Sequence, residues 1–289
     1  MVAAAGTVGD ALGAAAEAMA AAGVAEARLD AEVLLSEATG WDRAALLADP
    51  GAGLEPAAGR RFGAAVRRRL RREPVAYILG RKGFRRLELA VDRRVLVPRP
   101  ETELLVELAV ELAPARALDV GTGSGAIALA IADELPGAEV VATDTSPGAL
   151  EVARANAERL GLADRVRFVD GTLPEGEAAA GGFDLVLANL PYIAELDWPS
   201  LQPEVTRWEP HEALLAGPDG LDAYRALFVP GAVRRLLSYG QQGTNAPVVA
   251  VEIGEGQAVA VAQLVRGAGF ERAETRRDLA GIERVVVGR

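Results

Sequence analysis

The stretch ALDVGTGSGA, residues 117–126, places three glycines between a short apolar run and an alanine-rich segment. The apolar run 117–120 is typical of a buried strand, and the residues from Ala126 onwards are typical of a helix. Glycines at such a junction allow a sharp turn and let the backbone approach a ligand with no side chain between. The sequence therefore predicts a ligand-binding loop at residues 121–125 of an α/β domain.

The alternation of short apolar strands and helical segments continues to the end of the chain. The predicted strands are residues 117–120, 139–143, 166–169, 183–188, 248–253, 271–275 and 283–287. This order indicates a mostly parallel sheet with helices on both faces. Because too few residues join the last two strands for a crossover helix, at least one of them is expected to run antiparallel.

The residues before this region have a different pattern. Helical periodicity predicts a small bundle over residues 1–82, with Thr7 as the first N-cap. Alternating apolar residues over 87–91 and 95–97 predict a linking β-hairpin within residues 83–100, ended by Pro98 and Pro100. The α/β domain is then expected to occupy residues 101–289.

Composition excludes several classes of function. The net charge of −10 argues against a protein whose whole surface binds nucleic acid. The chain has no Cys and one His, so no metal site is expected. No signal peptide or membrane-spanning run is recognisable, which predicts a soluble, cytoplasmic protein.

Candidate cofactor residues follow the first three strands of the predicted sheet. Asp144 comes about 20 residues after the glycine loop, where a carboxylate can accept hydrogen bonds from two ribose hydroxyls. Asp170 ends the next strand and is placed for a purine edge, although Asp is also common in turns and caps. The predicted cofactor-binding residues here are Gly121, Thr122, Gly123, Ser124, Gly125, Asp144, Asp170 and Gly171. By itself this loop fits either a nicotinamide cofactor or S-adenosylmethionine.

The segment Asn189-Leu190-Pro191-Tyr192 separates these two possibilities. It follows the predicted strand 183–188, where its polar groups would face the cofactor. The Asn189 side-chain oxygen and the Leu190 carbonyl could each accept one N–H of a planar amide or amine, and Tyr192 could stack on it. These four residues are the predicted catalytic residues, with Asn189 also contacting the cofactor. They favour a methyltransferase, because a dehydrogenase has no use for this group of residues.

Several motifs outside this site give the chain a family resemblance. They are Glu73-Pro-Val-Ala-Tyr77-Ile-Leu-Gly80, Val97-Pro-Arg99-Pro-Glu101-Thr-Glu103, Glu209-Pro210, Ala213-Leu214, Asp219-Gly220-Leu221 and Asp278-Leu-Ala-Gly281-Ile-Glu-Arg284-Val. With the glycine loop and the Asn189 motif, they resemble the release factor glutamine methyltransferases (PrmC, also called HemK) over nearly the whole chain.

The resemblance implies a Rossmann-like methyltransferase domain and an N-terminal helical domain that recognises the substrate. It implies S-adenosylmethionine as cofactor and the glutamine of the Gly-Gly-Gln loop in class I peptide chain release factors as substrate. The product would be N5-methylglutamine. A monomer without direct nucleic acid binding or membrane association is expected.

Two residues depart from the family pattern. The family usually has Asn-Pro-Pro-Tyr, whereas Leu190 replaces the first proline here, and Gly171 replaces an often bulky residue. Asn-Leu-Pro-Tyr also resembles the adenine dimethyltransferases of ribosomal RNA, so N6-methylation of adenine in RNA or DNA is the alternative function. An inactive binding module is a further alternative, against which the intact amide-binding residues argue.

Features outside the motifs remain open to two interpretations. The basic run over residues 67–72 could contact a nucleic acid or an acidic protein, but a solvated helix face is the preferred interpretation. Trp198 and Trp208 could cover the substrate glutamine or belong to the local core. His211 is interpreted as a surface or capping residue.

Overall fold

The computed structural model describes residues 6–180, 182–237 and 247–289. The chain divides into two compact units. The first comprises the residues up to Gly80 together with Gln202–Trp208, and the second comprises Arg81–Leu201 together with Glu209–Arg289. Among the described residues, no helix is long and apolar enough to cross a lipid bilayer.

The first unit is built from helices. They are α1 (Val8–Ala21), α2 (Ala27–Thr39), α3 (Arg43–Ala48), α4 (Pro56–Arg69) and α5 (Val75–Leu79). Thr7 caps α1 as the sequence predicts, because its hydroxyl accepts a hydrogen bond from Asp10 N while Asp10 Oδ2 accepts one from Thr7 N. Gly40 ends α2 with a φ of 75°, which favours glycine.

An ion-pair cluster joins the end of α4 to a later segment of the chain within this unit. Arg69 is buried and contacts Asp30 Oδ2 and Glu204 Oε1, each at 2.7 Å. Arg72 binds Glu204 through Nε at 2.7 Å and Nη2 at 2.6 Å. Glu204 lies in a short helix, α9 of the chain (Pro203–Trp208). The interpretation of the basic run as a solvated face is therefore wrong for Arg69 and Arg72, whose guanidinium groups are paired with carboxylates.

The second unit begins with a hairpin, although not the one that the sequence predicts. Strand β1 (Arg81–Phe84) pairs antiparallel with β2 (Leu87–Ala90). Residues 95–97 form no strand. The alternation over residues 87–91 correctly marks one strand, but its partner precedes it, because the chain reverses at residues 85–86, where Arg85 has a φ of 52°.

The main sheet has seven strands in the order β5-β4-β3-β6-β7-β9-β8. They are β3 (Arg116–Val120), β4 (Glu139–Asp144), β5 (Val166–Asp170), β6 (Leu185–Ala188), β7 (Val248–Glu252), β8 (Ala273–Arg277) and β9 (Glu283–Gly288). The first five are parallel, whereas β9 pairs antiparallel with both β7 and β8. The expected antiparallel strand is thus confirmed, and so is the α/β, Rossmann-like fold class.

Helices cover both faces of this sheet. They are α6 (Glu103–Leu112), α7 (Ala126–Glu134), α8 (Pro147–Arg159), α10 (Asp222–Leu227), α11 (Ala232–Leu236) and α12 (Ala258–Gly267). Successive strand residues point to opposite faces. Leu185 and Leu187 accordingly belong to a core that includes α6 and α7, whereas Val186 and Ala188 belong to one that includes α10 and α12. Continuous apolar strands follow from this double coverage.

The Glu204 cluster yields a stability test of the first unit. We expect Glu204→Gln to lower the free energy of unfolding of the first unit by about 1–3 kcal/mol, because buried charged hydrogen bonds to Arg69 and Arg72 are weakened. Urea denaturation combined with amide hydrogen exchange of α2 and α4 would measure the change. Glu17→Gln, at an exposed position of α1, is the matched control. Equal effects of the two substitutions would contradict a stabilising role for the cluster.

Candidate active site

The glycine loop turns sharply between β3 and α7. Gly121, Gly123 and Gly125 have φ values of 75°, 56° and 85°, which L side chains rarely adopt. A Cβ at Gly125 would also lie 2.9 Å from Leu129 Cδ1, closer than packed carbons approach. Gly121 N and Thr122 N both donate to the Thr143 carbonyl at 2.9 Å, which joins the loop to the end of β4. The loop therefore has the backbone that the sequence predicts.

Asp119 supports this loop from inside the protein. It is fully buried, and its Oδ2 accepts hydrogen bonds from the Thr122 hydroxyl at 2.7 Å and from Ala128 N at 3.2 Å. Its Oδ1 has no hydrogen-bond partner. Burial raises the pKa of this carboxyl to about 7, against the lowering effect of the hydrogen bonds from Thr122 and Ala128.

Asp144 joins the loop to the next strand at the same edge of the sheet. Its Oδ2 accepts from Gly123 N at 2.8 Å, and its Oδ1 accepts from Ser146 N at 2.9 Å. Each carboxylate oxygen has more than one lone pair, so further hydrogen bonds to a ligand remain available. The carboxylate is held in place before any ligand binds.

Most of the predicted site residues line one cavity of about 300 Å³. The members from the predicted set are Gly121, Thr122, Gly123, Ser124, Asp144, Gly171, Asn189, Leu190 and Pro191. The volume lies at the lower end of the range of about 300–1,000 Å³ for small-molecule sites. A mostly apolar space with a carboxylate and a glycine loop fits the adenosine part of S-adenosylmethionine.

Three predicted residues lie outside the lining of this cavity. Gly125 shapes the turn, as described above. Asp170 is exposed at the end of β5, and the chain turns at Gly171, so that Gly171 and Thr172 line the cavity instead. Tyr192 is mostly buried and packs on the core that includes α10 and α12.

Asn189 follows β6 directly and is held by a residue far away in sequence. Its Nδ2 donates to the Thr102 hydroxyl oxygen at 3.0 Å. Thr102 ends a short 3-10 helix (Pro100–Thr102) and is buried, and it is also bonded to the carboxyl of Glu252 at the end of β7. The side-chain amide of Asn189 is therefore fixed at its nitrogen end.

The backbone at Tyr192 is fixed by a separate set of contacts. Gln257 Nε2 donates to the Tyr192 carbonyl at 2.9 Å and to the Gly220 carbonyl at 3.3 Å. A Cβ at Gly220, whose φ is 74°, would lie 2.4 Å from the Tyr192 carbonyl oxygen, so only glycine fits there. Burial raises the pKa of the Tyr192 hydroxyl to about 12, which keeps it protonated. Gly220 in the motif Asp219-Gly220-Leu221 thus positions the catalytic segment.

Comparison with known proteins identifies the family. Residues 10–80 match the family model of the PrmC N-terminal domain, and residues 117–208 match that of a methyltransferase domain. The release factor glutamine methyltransferase of Geobacter sulfurreducens is 44% identical over 271 residues, which cover 92% of this chain and 91% of the relative. That of Cereibacter sphaeroides is 45% identical over 287 residues and covers 97% of both chains. This chain belongs to the release factor glutamine methyltransferase family.

A solved structure supports the fold independently. The hMettl16 catalytic domain in complex with MAT2A 3'UTR hairpin 1 superposes with a TM-score of 0.51 at 16% sequence identity. The match covers 69% of this chain and 74% of that chain. At this identity it shows a shared methyltransferase fold alone. The family resemblance expected from the sequence motifs is confirmed by the relatives.

Sequence reasoning missed several residues of the methyltransferase site. Arg99 and Thr102 line the cavity, and Glu209 Oε1 accepts a hydrogen bond from Arg99 Nη2 at 2.6 Å. Glu209 is buried, which raises its pKa despite the guanidinium of Arg99. Arg99, Thr102 and Glu209 all lie in the quoted family motifs, so the signal was present without an assigned role. Trp198 packs edge-on against His211, with ring centroids 4.6 Å apart. Trp208 belongs to the first unit, where its Nε1 donates to the Arg71 carbonyl.

The buried carboxyl of Asp119 leads to a pH prediction. Its pKa is raised in the folded protein, so its favourable contribution to stability is fully present below about pH 4 and is lost as the pH rises through about 7. We therefore expect the free energy of unfolding of the wild type, relative to Asp119→Asn, to fall by a few kcal/mol between pH 4 and pH 7.5. One pKa unit corresponds to about 1.4 kcal/mol.

Urea unfolding at a series of pH values would measure this difference. Asp164→Asn, at an exposed position, controls for the loss of a surface carboxyl. A constant difference between wild type and Asp119→Asn across the range would contradict the raised pKa.

The two carboxylates at the edge of the sheet can be compared directly. We expect Asp144→Ala to weaken binding of S-adenosylhomocysteine by about 10–100-fold, because hydrogen bonds to a charged acceptor and the anchoring of Gly123 are lost together. Asp170→Ala should change the affinity by less than about threefold, since its side chain lies outside the cavity lining. Calorimetry would measure both. Equal losses would mean that Asp170 contacts the ligand in the bound state.

Proposed function

We propose that this chain transfers one methyl group from S-adenosylmethionine to the side-chain amide nitrogen of a glutamine in class I peptide chain release factors. The target is the glutamine of their Gly-Gly-Gln loop, and the product is N5-methylglutamine. The observation that carries the proposal is Asn189-Leu190-Pro191-Tyr192 at the end of β6, beside a cavity suited to the methyl donor. The names and coverage of the relatives support the same reaction.

The reaction requires an amide nitrogen to act as a nucleophile. Its lone pair is delocalised into the carbonyl group, the resonance that gives a peptide bond its rotation barrier of about 18–20 kcal/mol. Bound S-adenosylmethionine would supply a methyl group on a sulfonium sulfur, which leaves as the neutral thioether of S-adenosylhomocysteine, an excellent leaving group. The protein must therefore direct the nitrogen lone pair at that methyl group and stabilise the positive charge that develops on nitrogen.

Asn189 and Leu190 provide the acceptors for this task. The Asn189 Oδ1 atom accepts one N–H of the glutamine amide, and the Leu190 carbonyl accepts the other. Both acceptors lie on the segment that lines the cavity. Two hydrogen bonds to the amide fix its plane, and two negative dipoles face the nitrogen as it becomes positive. The product nitrogen then loses its extra proton readily to water, so no general base has to act before methyl transfer.

Pro191 and Tyr192 hold these acceptors in place. Proline disfavours the helical conformation in the residue before it, so Leu190 is restrained to an extended conformation that fixes the direction of its carbonyl. The Gln257 hydrogen bond to the Tyr192 carbonyl anchors the other end of the segment. We propose that the part of the Tyr192 ring that the core leaves exposed packs on the flat amide of the substrate.

We infer that the enzyme acts as a cytoplasmic monomer on a protein substrate, without binding nucleic acid directly or associating with a membrane. Residues 10–80 match the PrmC N-terminal domain, which supports a role for residues 1–82 in recognising the release factor. The β1–β2 hairpin over residues 81–90 and a catalytic domain over residues 101–289 complete this division.

N6-methylation of adenine is the second candidate function. It rests on Leu190, since Asn-Leu-Pro-Tyr also presents two acceptors to an exocyclic adenine amine. The relatives do not favour it, because they are release factor glutamine methyltransferases that match this chain over more than nine tenths of its length.

Labelled S-adenosylmethionine tests the substrate directly. The purified protein is incubated with a release factor and, separately, with the same factor carrying alanine in place of the loop glutamine. We expect label in the first protein and not in the second. Label in undermethylated ribosomal RNA, with neither protein labelled, would establish the adenine reaction instead.

Substitution of Asn189 tests the catalytic role. We expect Asn189→Ala to lower kcat about 100–1,000-fold, as the loss of one preorganised polar group that stabilises developing charge typically does. Affinity for S-adenosylhomocysteine, measured by calorimetry, separates a loss of catalysis from a loss of cofactor. A variant with unchanged kcat would show that Asn189 does not hold the substrate amide.

A further inference from the structure

Two residues outside the catalytic segment, Thr102 and Glu252, are linked to Asn189 by hydrogen bonds. We call these three residues the Asn189 triad. Thr102 Oγ1 accepts from Asn189 Nδ2 at 3.0 Å and is itself hydrogen-bonded to the Glu252 carboxyl. We propose that Thr102 and Glu252 are positioning residues, which select the orientation of the Asn189 side-chain amide that presents its oxygen to the substrate. This inference rests on the proposed methylation of an amide.

Orientation matters because an asparagine side chain is chemically asymmetric. One end carries an acceptor oxygen, and the other carries two N–H donors, although the two ends have nearly the same shape. If the amide were rotated by 180°, Asn189 would present donors to the N–H donors of the substrate. That arrangement repels the substrate nitrogen and cannot stabilise positive charge on it. Catalysis therefore requires contacts that distinguish the oxygen end of the Asn189 side-chain amide from its nitrogen end.

The directions of the hydrogen bonds within the Asn189 triad distinguish the oxygen end of the asparagine amide from its nitrogen end. The Thr102 hydroxyl has a single proton, and an ionised carboxylate can only accept. Thr102 must then donate to Glu252, which leaves its oxygen as an acceptor for Asn189. Only the Nδ2 end of Asn189 can satisfy that acceptor, so Oδ1 faces the opposite way. A carboxyl protonated on Oε2 would still present its other oxygen to Thr102, and the direction is preserved.

Glu252 is the member of the Asn189 triad whose burial costs the most stability. This cost indicates that its carboxyl has a role other than packing. Glu252 is 2% exposed, and its Oε2 has no hydrogen-bond partner. Burial raises its pKa to about 7, and the hydrogen bond from Thr102 lowers it again only in part. A buried polar atom without a partner destabilises a protein. A well-packed apolar side chain would serve the core better than this carboxyl.

Backbone contacts hold Thr102 and Glu252 of the Asn189 triad in place. The Tyr224 hydroxyl, fully buried, donates to the backbone carbonyl of Glu252 at 2.6 Å. Glu252 pairs with Val285 of β9, and Thr102 N donates to the Arg99 carbonyl at 3.2 Å. The backbones of Thr102 and Glu252 are thus held in place, and both side chains are buried, which leaves them little freedom to rearrange.

A double-mutant cycle tests the orientation directly. We expect Thr102→Val to lower kcat by about 10–100-fold, because the two orientations of Asn189 become similar in energy and Nδ2 is left without a partner. Thr102→Ser keeps the hydroxyl and should restore most of the activity. An aspartate at position 189 presents oxygen in both orientations, so in Asn189→Asp the further change Thr102→Val should cost less than about threefold. Equal costs in the two backgrounds would overturn the proposal.

The role of Glu252 is separated from packing by two substitutions of similar length. Glu252→Gln keeps an oxygen that can accept from Thr102, whereas Glu252→Met keeps the volume and removes the acceptor. We expect kcat of Glu252→Met to be at least about tenfold below that of Glu252→Gln. Equal kcat values for these two folded variants would show that the carboxyl does not act through Thr102.

A spectroscopic measurement makes the test independent of the substrate. The sequence has only three asparagines, Asn156, Asn189 and Asn245, so selective ¹⁵N labelling of asparagine gives three pairs of side-chain amide signals. In the free enzyme, Thr102→Val should shift and broaden the pair of side-chain amide signals from Asn189 and accelerate the exchange of its amide protons with water. Thr102→Ser should leave this pair nearly unchanged. An unchanged spectrum would contradict the hydrogen bond. If the spectrum responds as expected but no release factor is methylated, the proposed substrate fails and the positioning of Asn189 stands.

Discussion

The whole site depends on the parallel pairing of four neighbouring strands. Val120 of β3 is in register with Thr143 of β4 and with Ala188 of β6, and Ala188 is in register with Val251 of β7. The next residue along each strand therefore lies in one row at the carboxyl edge of the sheet, namely Asp144, Gly121, Asn189 and Glu252. Each belongs to a different part of the sequence, and a slip of one residue in any pair would move its side chain to the other face. The apolar cores on both faces fix this register, so hydrophobic packing aligns the polar site.

Three buried carboxyls in the catalytic unit show what this alignment costs. Asp119 supports the glycine loop, Glu209 holds Arg99 at the cavity, and Glu252 meets Thr102. Burial raises the pKa of each group, which means that the folded protein destabilises its ionised form. None of the three is required to complete the core. Their placement around one cavity fits the general tendency of perturbed carboxyls to gather at functional sites, where stability is lost in return for fixed geometry.

The part of the site that the sequence predicts is the part that is local. The glycine loop, Asp144 and the segment 189–192 each follow a strand directly, so strand prediction places them together. Thr102 and Glu252 were missed, because their roles come from side-chain contacts between residues 87 and 150 positions apart. The hairpin partner of β2 and the pairing of Arg69 with Glu204 were missed for the same reason, since hydrophobic periodicity carries no information about partners. Asp170 shows the opposite error, because its position after a strand was predicted correctly while its side chain lies outside the cavity.

Leu190 makes the contacts of Asn189 more important than they would be with a proline at position 190. A proline would restrict the backbone of Asn189 to an extended conformation, whereas leucine leaves it freer. Two other restraints act here. Leu190 Cδ2 lies only 3.2 Å from the place of a Cβ on Gly121, so the leucine packs against the bare face of the glycine loop. The Thr102 hydrogen bond then fixes the side chain of Asn189, which the backbone of Leu190 cannot do. Pro191 continues to restrain Leu190 itself, so one acceptor is held by the backbone and the other by a side-chain network.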